Sequence, residues 1–236
     1  MLRTTSLVDA PVTETQLLER ASALAGVSLG DAARLVGQTT PGHLRGHKGW
    51  VGCLLETLLG ATAGSADRPD FEAIGVELKT IPLRSDGQPL ETTFVCSIDL
   101  LSVAHVEWRD SRVFRKLRRV LWFPVHAERH IPIAVRRLGT PFLWSPSPDQ
   151  EAALRWDWEE LAGLIGRGDV DDITGHFGRS LQVRPKAANS RVRRRGLDAD
   201  GCAISVLPRG FYLRPAFTSR IIRDAFRSPD VETPTL

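Results

Sequence analysis

Asp70, six intervening residues and then Glu77-Leu78-Lys79 are the residues of this 236-residue chain best placed by type and spacing to do chemistry. The run Val76-Glu77-Leu78-Lys79 alternates as a strand does, and successive strand side chains point to opposite faces. Glu77 and Lys79 therefore share one face, while Val76 and Leu78 share the other and can enter a core. Asp70 can return beside the two from the preceding turn. Carboxylate oxygens suit Mg²⁺, and a cation between them polarises a phosphoryl oxygen or activates water. A lysine alongside orients that water or neutralises charge on a phosphate. The same pattern equally describes an exposed strand edge with a solvated acid and lysine, so the surroundings must decide.

Those surroundings supply the elements that would position the set. Thr13-Glu14-Thr15-Gln16 reads as a capping box opening a helix through Leu17, Leu18, Ala21 and Leu24, stopped near Gly26. A short helix over 31–36 follows. Over 48–59, Val51, Leu54, Leu55 and Leu58 form one apolar stripe that leaves Glu56 off it. After the Glu77 strand come a Ser85-Asp86-Gly87 turn and a strand over 92–98. The basic segment 112–119 leads into a strand over 120–125. Ser147-Pro148-Asp149-Gln150 starts a helix to about Ile165, with Leu154, Trp158, Leu161 and Leu164 inward. A shorter helix is expected over 170–177, then strands over 181–184 and 203–207, the run Gly210-Phe211-Tyr212, and a closing helix over 215–226. Strands interleaved with helices predict an α/β (α+β) fold, a mixed sheet flanked by helices.

Net charge is only +3, but it is unevenly spread. Eight Lys/Arg face one acid, Glu128, over 112–137, and eleven face three acids, Asp198, Asp200 and Asp224, over 184–227. Such regional excess suits a polyanion laid on particular surfaces, and equally a solvated basic face. Cys53, Cys96 and Cys202 are few and far apart, which fits structural thiols in a reducing cytoplasm. No apolar run reaches the length of a membrane span, and the start lacks the pattern of a secretion signal. His126/His130 and His43/His47 have helical metal spacing but are broken by proline or glycine, so they read as ordinary.

Longer stretches surround the set: Lys48-Gly49-Trp50-Val51-Gly52, Ala63-Gly64-Ser65, Gly75 through Pro82, Pro89 through Cys96, Arg119-Val120-Leu121-Trp122, Leu143-Trp144-Ser145-Pro146, Arg184 through Asn189 and Leu207 through Leu213. Together they closely resemble the MutH family, strand-nicking endonucleases of methyl-directed DNA mismatch repair with relatives among GATC restriction enzymes. The resemblance spans about residues 12–226. It implies a restriction-endonuclease-like fold whose two lobes, about 12–145 for the active site and 146–226 for DNA reading, form a cleft within one domain, 227–236 being a tail.

The resemblance makes Asp70 and Glu77 metal-binding carboxylates, with the Leu78 backbone carbonyl beside them, and Lys79 the lysine next to the attacking water. Glu56 falls on an additional acidic position and Lys116 on a second lysine needed for activity. Arg184, Pro185 and Lys186 match DNA-reading positions. Arg suits bidentate bonding to guanine O6 and N7, and proline between the two cations restricts how they aim. Lys48 matches a DNA-contacting lysine, although His47 stands where an acid is familiar. Phe94 matches a position packed at the DNA, while alternation alone leaves it equally a core residue. Tyr212, the one tyrosine, falls on the position that senses adenine methylation. A phenol there can accept from the free N6 amino group and clash with a methylated one; a half-buried structural tyrosine is the plainer reading. Nothing from the family carries onto Arg191–Gly201.

The expectation is a monomeric, Mg²⁺-dependent endonuclease that nicks the unmethylated strand at hemimethylated GATC, working with MutL and MutS and with no membrane partner. A GATC restriction enzyme making double-strand breaks and a non-catalytic DNA-binding module are the rivals. The first is disfavoured by length and the second by the intact acid-acid-lysine set.

Overall fold

β1 (Glu77–Leu83) runs parallel to β3 (Val120–His126), with Glu77 opposite Val120 and Lys79 opposite Trp122. The antiparallel strand β4 (Phe142–Trp144) completes this sheet. The computed structural model describes residues 8–44, 46–47, 49–64, 67–170, 172–187, 189 and 191–227. Alternation gives the sheet two buried faces. On one, Leu78, Leu121, Phe123 and Val125 pack with α1 (Glu14–Ser22), α2 (Leu29–Leu35) and α3 (Trp50–Leu59) through Leu17, Leu29, Leu54 and Leu55. On the other, Ile81, Leu83, Val120, Trp122 and Trp144 enter a second core. Glu77 and Lys79 stand on that second face, at the strand end where its apolar lining stops. Burying a Leu or Phe completely stabilises by about 1.5–3 kcal/mol. A one-residue register slip would bury Glu77 among the helices instead, so Leu121 and Phe123 fix which way the acid points.

The second core lies under an antiparallel sheet in the order β2 (Thr93–Ser97), β8 (Arg209–Leu213), β5 (Leu181–Pro185). β2 thus joins strands from the far end of the chain rather than its neighbour β1. α5 (Pro148–Gly166) and α6 (Pro215–Ala225) supply Leu154, Trp158, Leu161, Ile165, Phe217 and Ile221 to this core. α4 (Arg112–Leu117) leads into β3, and β6 (Arg194–Leu197) pairs with β7 (Ala203–Val206) as a hairpin. The whole is a mixed α/β arrangement of small sheets flanked by helices. Among the described residues no helix is long and apolar enough to cross a membrane.

Caps behave as their residue types dictate. Ser147 and Gln150 form the reciprocal capping box of α5, and Gln150 also accepts from Trp144 Nε1 at 3.2 Å. At α1 the Thr13 hydroxyl accepts from Gln16 N–H, but Gln16 Oε1 turns to Val12 N–H, one residue before the expected partner. The helix expected over 170–177 is not formed among the described residues there. Side chains fix its end and the turn after it instead: Arg214 donates to the carbonyls of Gly175 and Phe177, and Asp157 accepts the N–H groups of Arg179, Ser180 and Leu181 just beyond. Most of the basic segment 112–119 is helical where none was foreseen, as α4 (Arg112–Leu117), opened by Ser111, whose hydroxyl accepts from Phe114 N–H. Cys96 is buried, whereas Cys53 and Cys202 are exposed. The tail from 228 lies outside the described residues.

Candidate active site

Asp70 ends the loop after α3, and β1 begins seven residues later. Its Oδ2 accepts the Leu78 N–H at 2.8 Å, which ties the loop to the strand. Leu78 thus meets the acid through its N–H. Glu77 is 3% exposed and receives one ammonium on each oxygen: Lys79 Nζ at 2.6 Å on Oε1 and Lys116 Nζ at 2.9 Å on Oε2. Lys79 also donates to the Val95 carbonyl at 3.4 Å, and Lys116 to the Arg68 carbonyl. Lys116 comes from the last turn of α4, so that helix and β1 meet on one carboxylate. Glu56 projects from α3 off the apolar stripe and lies near enough to feel the charges of Glu77, Lys79 and Lys116.

Burial, and then the neighbouring charge of Glu77, push the Asp70 carboxyl up to about 7. The same two causes raise Glu56. Acids crowded in a low-dielectric site hold protons unless a cation relieves them. Among the described residues no three His, Cys, Asp or Glu side chains close into a ligating group. The donor chemistry nevertheless suits a hard divalent ion: Asp70 and Glu77 are hard oxygen ligands, and the raised affinity for protons is affinity that such an ion can claim. Each Glu77 oxygen retains a lone pair beyond the one its lysine engages.

A further ion-pair cluster braces the loop. Asp67 bonds Arg112 Nε at 2.8 Å and Arg115 NH2 at 2.9 Å, so α4 grips the loop three residues before Asp70.

Phe94, Tyr212, Arg184, Pro185 and Lys186 come together on the β2–β8–β5 sheet. Phe94 pairs with Tyr212 across β2 and β8, their ring centres 5.3 Å apart and edge-on. Gly210 permits this, since a Cβ there would lie 3.0 Å from the Phe94 ring. Phe94 is partly exposed rather than a core residue, and the Lys186 ammonium sits 3.9 Å from its ring centre. Arg184 bonds Thr92 Oγ1 at 3.2 Å. Tyr212 pairs with buried Gln182, and burial raises its phenol above the ordinary value, against the nearby Arg184 charge. Lys48 lies outside the described residues. Sequence reasoning missed Asp67, Arg112, Arg115, Gln182 and Thr92. Only the side-chain meetings of distant segments reveal them, and no spacing signals that.

A buried acid-acid-lysine centre beside an edge of exposed cations and aromatic rings defines a metal-dependent nuclease. The description "DNA mismatch repair enzyme MutH" matches residues 59–157, which hold Asp70, Glu77, Lys79, Phe94 and Lys116. The DNA mismatch repair protein MutH of Escherichia coli strain K12 is 52% identical over 220 residues, covering 93% of this chain and 96% of that protein. Those of E. coli O6:K15:H31 and O157:H7 strain EC4115 are 51% identical with the same coverage. The chain belongs to the MutH family of DNA mismatch repair enzymes.

Proposed function

We propose that this enzyme uses Mg²⁺ to nick only the unmethylated strand of hemimethylated GATC. The observation that carries the reading is Glu77 bonded by both Lys79 and Lys116 with Asp70 fixed beside it. Asp70 and Glu77, with Glu56 and the Leu78 carbonyl near them, are the groups that would hold the ion, which when bound supplies positive charge to the scissile phosphate. As an ammonium, Lys79 has donors only, so it orients the attacking water rather than taking its proton. Water adds to phosphorus in line with the P–O3′ bond and gives up a proton to solvent; as that bond breaks, O3′ takes one from solvent, leaving a 3′ hydroxyl and a 5′ phosphate. Lys116 neutralises charge gathering on the non-bridging oxygens.

Arg184 and Lys186 address base-edge acceptors, and Tyr212, backed by Phe94, meets the adenine N6 position. The active-site lobe is about 12–145 and the DNA-reading lobe about 146–226, with β2 of the first paired into the sheet of the second, and the DNA lies in a restriction-endonuclease-like cleft between them. One site per monomer cuts one strand per event. The enzyme acts in the cytoplasm and takes its signal from MutL after MutS finds a mismatch.

The test uses hemimethylated, fully methylated and unmethylated GATC duplexes with Mg²⁺, run on denaturing and native gels. Scission confined to the unmethylated strand is expected; paired breaks, or binding without scission, would refute the reading.

A further inference from the structure

Residues 191–201, onto which no family feature carries, form β6 and the tip of the β6–β7 hairpin, and the hairpin's charges are sorted along its length. Asp198 and Asp200 occupy the tip, where Asp198 Oδ1 accepts the N–H groups of Cys202 at 2.8 Å and Asp200 at 3.1 Å. Arg191, Arg193, Arg194 and Arg195 occupy the opposite end. The tip is seated on the chain after α5. Gly168 has φ +86°, and a Cβ there would fall 2.2 Å from the Asp198 carbonyl carbon, so glycine allows the backbones to meet. Inside the hairpin, buried Val206 joins the second core. The arginine end is therefore carried on a fixed support.

Beside that end opens a cleft of about 440 Å³ whose charged lining is Arg112, Lys186, Arg194, Arg195 and Arg209 against one acid, Asp99. Arg194 and Arg195 are exposed, and neither side chain takes part in a hydrogen bond or ion pair among the described residues. Arg112 is already paired with Asp67, so the charge left for a ligand is that of Arg194 and Arg195; like charges placed side by side cost electrostatic energy in the free protein, and a polyanion recovers it. Lys186 belongs to both this cleft and the Phe94–Tyr212 edge, so the two surfaces are continuous. β6 extends about 13 Å at strand rise, over which one DNA strand presents about four phosphates.

We propose that the cleft is a phosphate track that holds the DNA backbone just beyond the bases being read. It rests on the reading of this enzyme as a DNA endonuclease and adds to it a contact zone that carries no sequence information, made by Arg194 and Arg195.

The test measures binding of the full chain to duplexes of about 30 base pairs with and without GATC, free of divalent cation, from about 50 to 200 mM salt. Each phosphate contact contributes about 0.9 to the slope of log affinity against log salt, so R194A/R195A should flatten it by about 1.8. Affinity for both duplexes should fall by the same factor, and R194K/R195K should keep the slope. An unchanged slope in R194A/R195A overturns the proposal, as it would if the hairpin served an acidic protein instead. A loss confined to the GATC duplex overturns it in favour of base reading. Because no cleavage is read, a wild-type enzyme that failed to nick would count against the function while leaving this outcome intact.

Discussion

The carboxylate of Asp70 is tied to the backbone N–H of Leu78, the residue between Glu77 and Lys79, at 2.8 Å. One hydrogen bond thus sets the distance between a loop acid and a strand acid. It also forces the two negative charges together in a buried place, and that crowding has a consequence for stability.

Asp70 moves from 3.8 to about 7 in the folded chain, so the native state holds its proton more tightly than the unfolded state does. The resulting stabilisation is complete below about 4 and is lost as pH rises to about 7. Melting temperature in chelator should therefore fall over that window. Asp70→Asn should remove this part of the decline, and added Mg²⁺ should offset it in wild type. Superimposable wild-type and Asp70→Asn profiles would remove the assigned crowding.

Lys79→Ala should abolish nicking while leaving DNA affinity within a few-fold. Lys116→Ala should also lower the rate and cost about 3 kcal/mol in denaturant unfolding, because it strips one counter-ion from buried Glu77. Glu77→Gln in the Lys116→Ala background should restore part of that stability without restoring activity. Nicking that survives Lys79→Ala would show that the water is oriented by another group.

Tyr212→Ala should narrow the ratio of rates on unmethylated and methylated strands. Phe94→Ala should do the same more weakly, since its ring braces Tyr212 edge-on. Strand-resolved kinetics on hemimethylated duplexes provide the check, and an unchanged ratio in Tyr212→Ala dismisses it as the sensor.

Asp67→Ala should change stability by less than about 1 kcal/mol, because its ion pairs with Arg112 and Arg115 are partly exposed. Its rate should nonetheless fall several-fold at saturating DNA, with little change in KM, as the loop bearing Asp70 loosens. Loss of stability without loss of kcat would reverse this assignment.

Local patterns carried much of the architecture. The stripe of α3 leaves Glu56 off it and free to face Glu77, the alternation in β1 puts Glu77 and Lys79 on one face, and Ser147 with Gln150 marks the start of α5. These features depend on periodicity and caps, which a sequence displays. What was hidden depends on distant partners. The 170–177 segment has helix-compatible residues, but Arg214 bonds the carbonyls of Gly175 and Phe177 at its end, and Asp157 fixes the turn just beyond it. β2 pairs with β8 across more than a hundred residues, and only that pairing sets Phe94 against Tyr212. The arginines of α4 gave a charge count, yet their bond to Asp67 is tertiary.

The most direct measurement of the whole account is a crystal structure with Ca²⁺ and a hemimethylated GATC duplex. It should place a cation at about 2.3–2.6 Å from oxygens of both Asp70 and Glu77, against the scissile phosphate of the unmethylated strand. A cation bound elsewhere, with those two carboxylates turned from the phosphate, would contradict it.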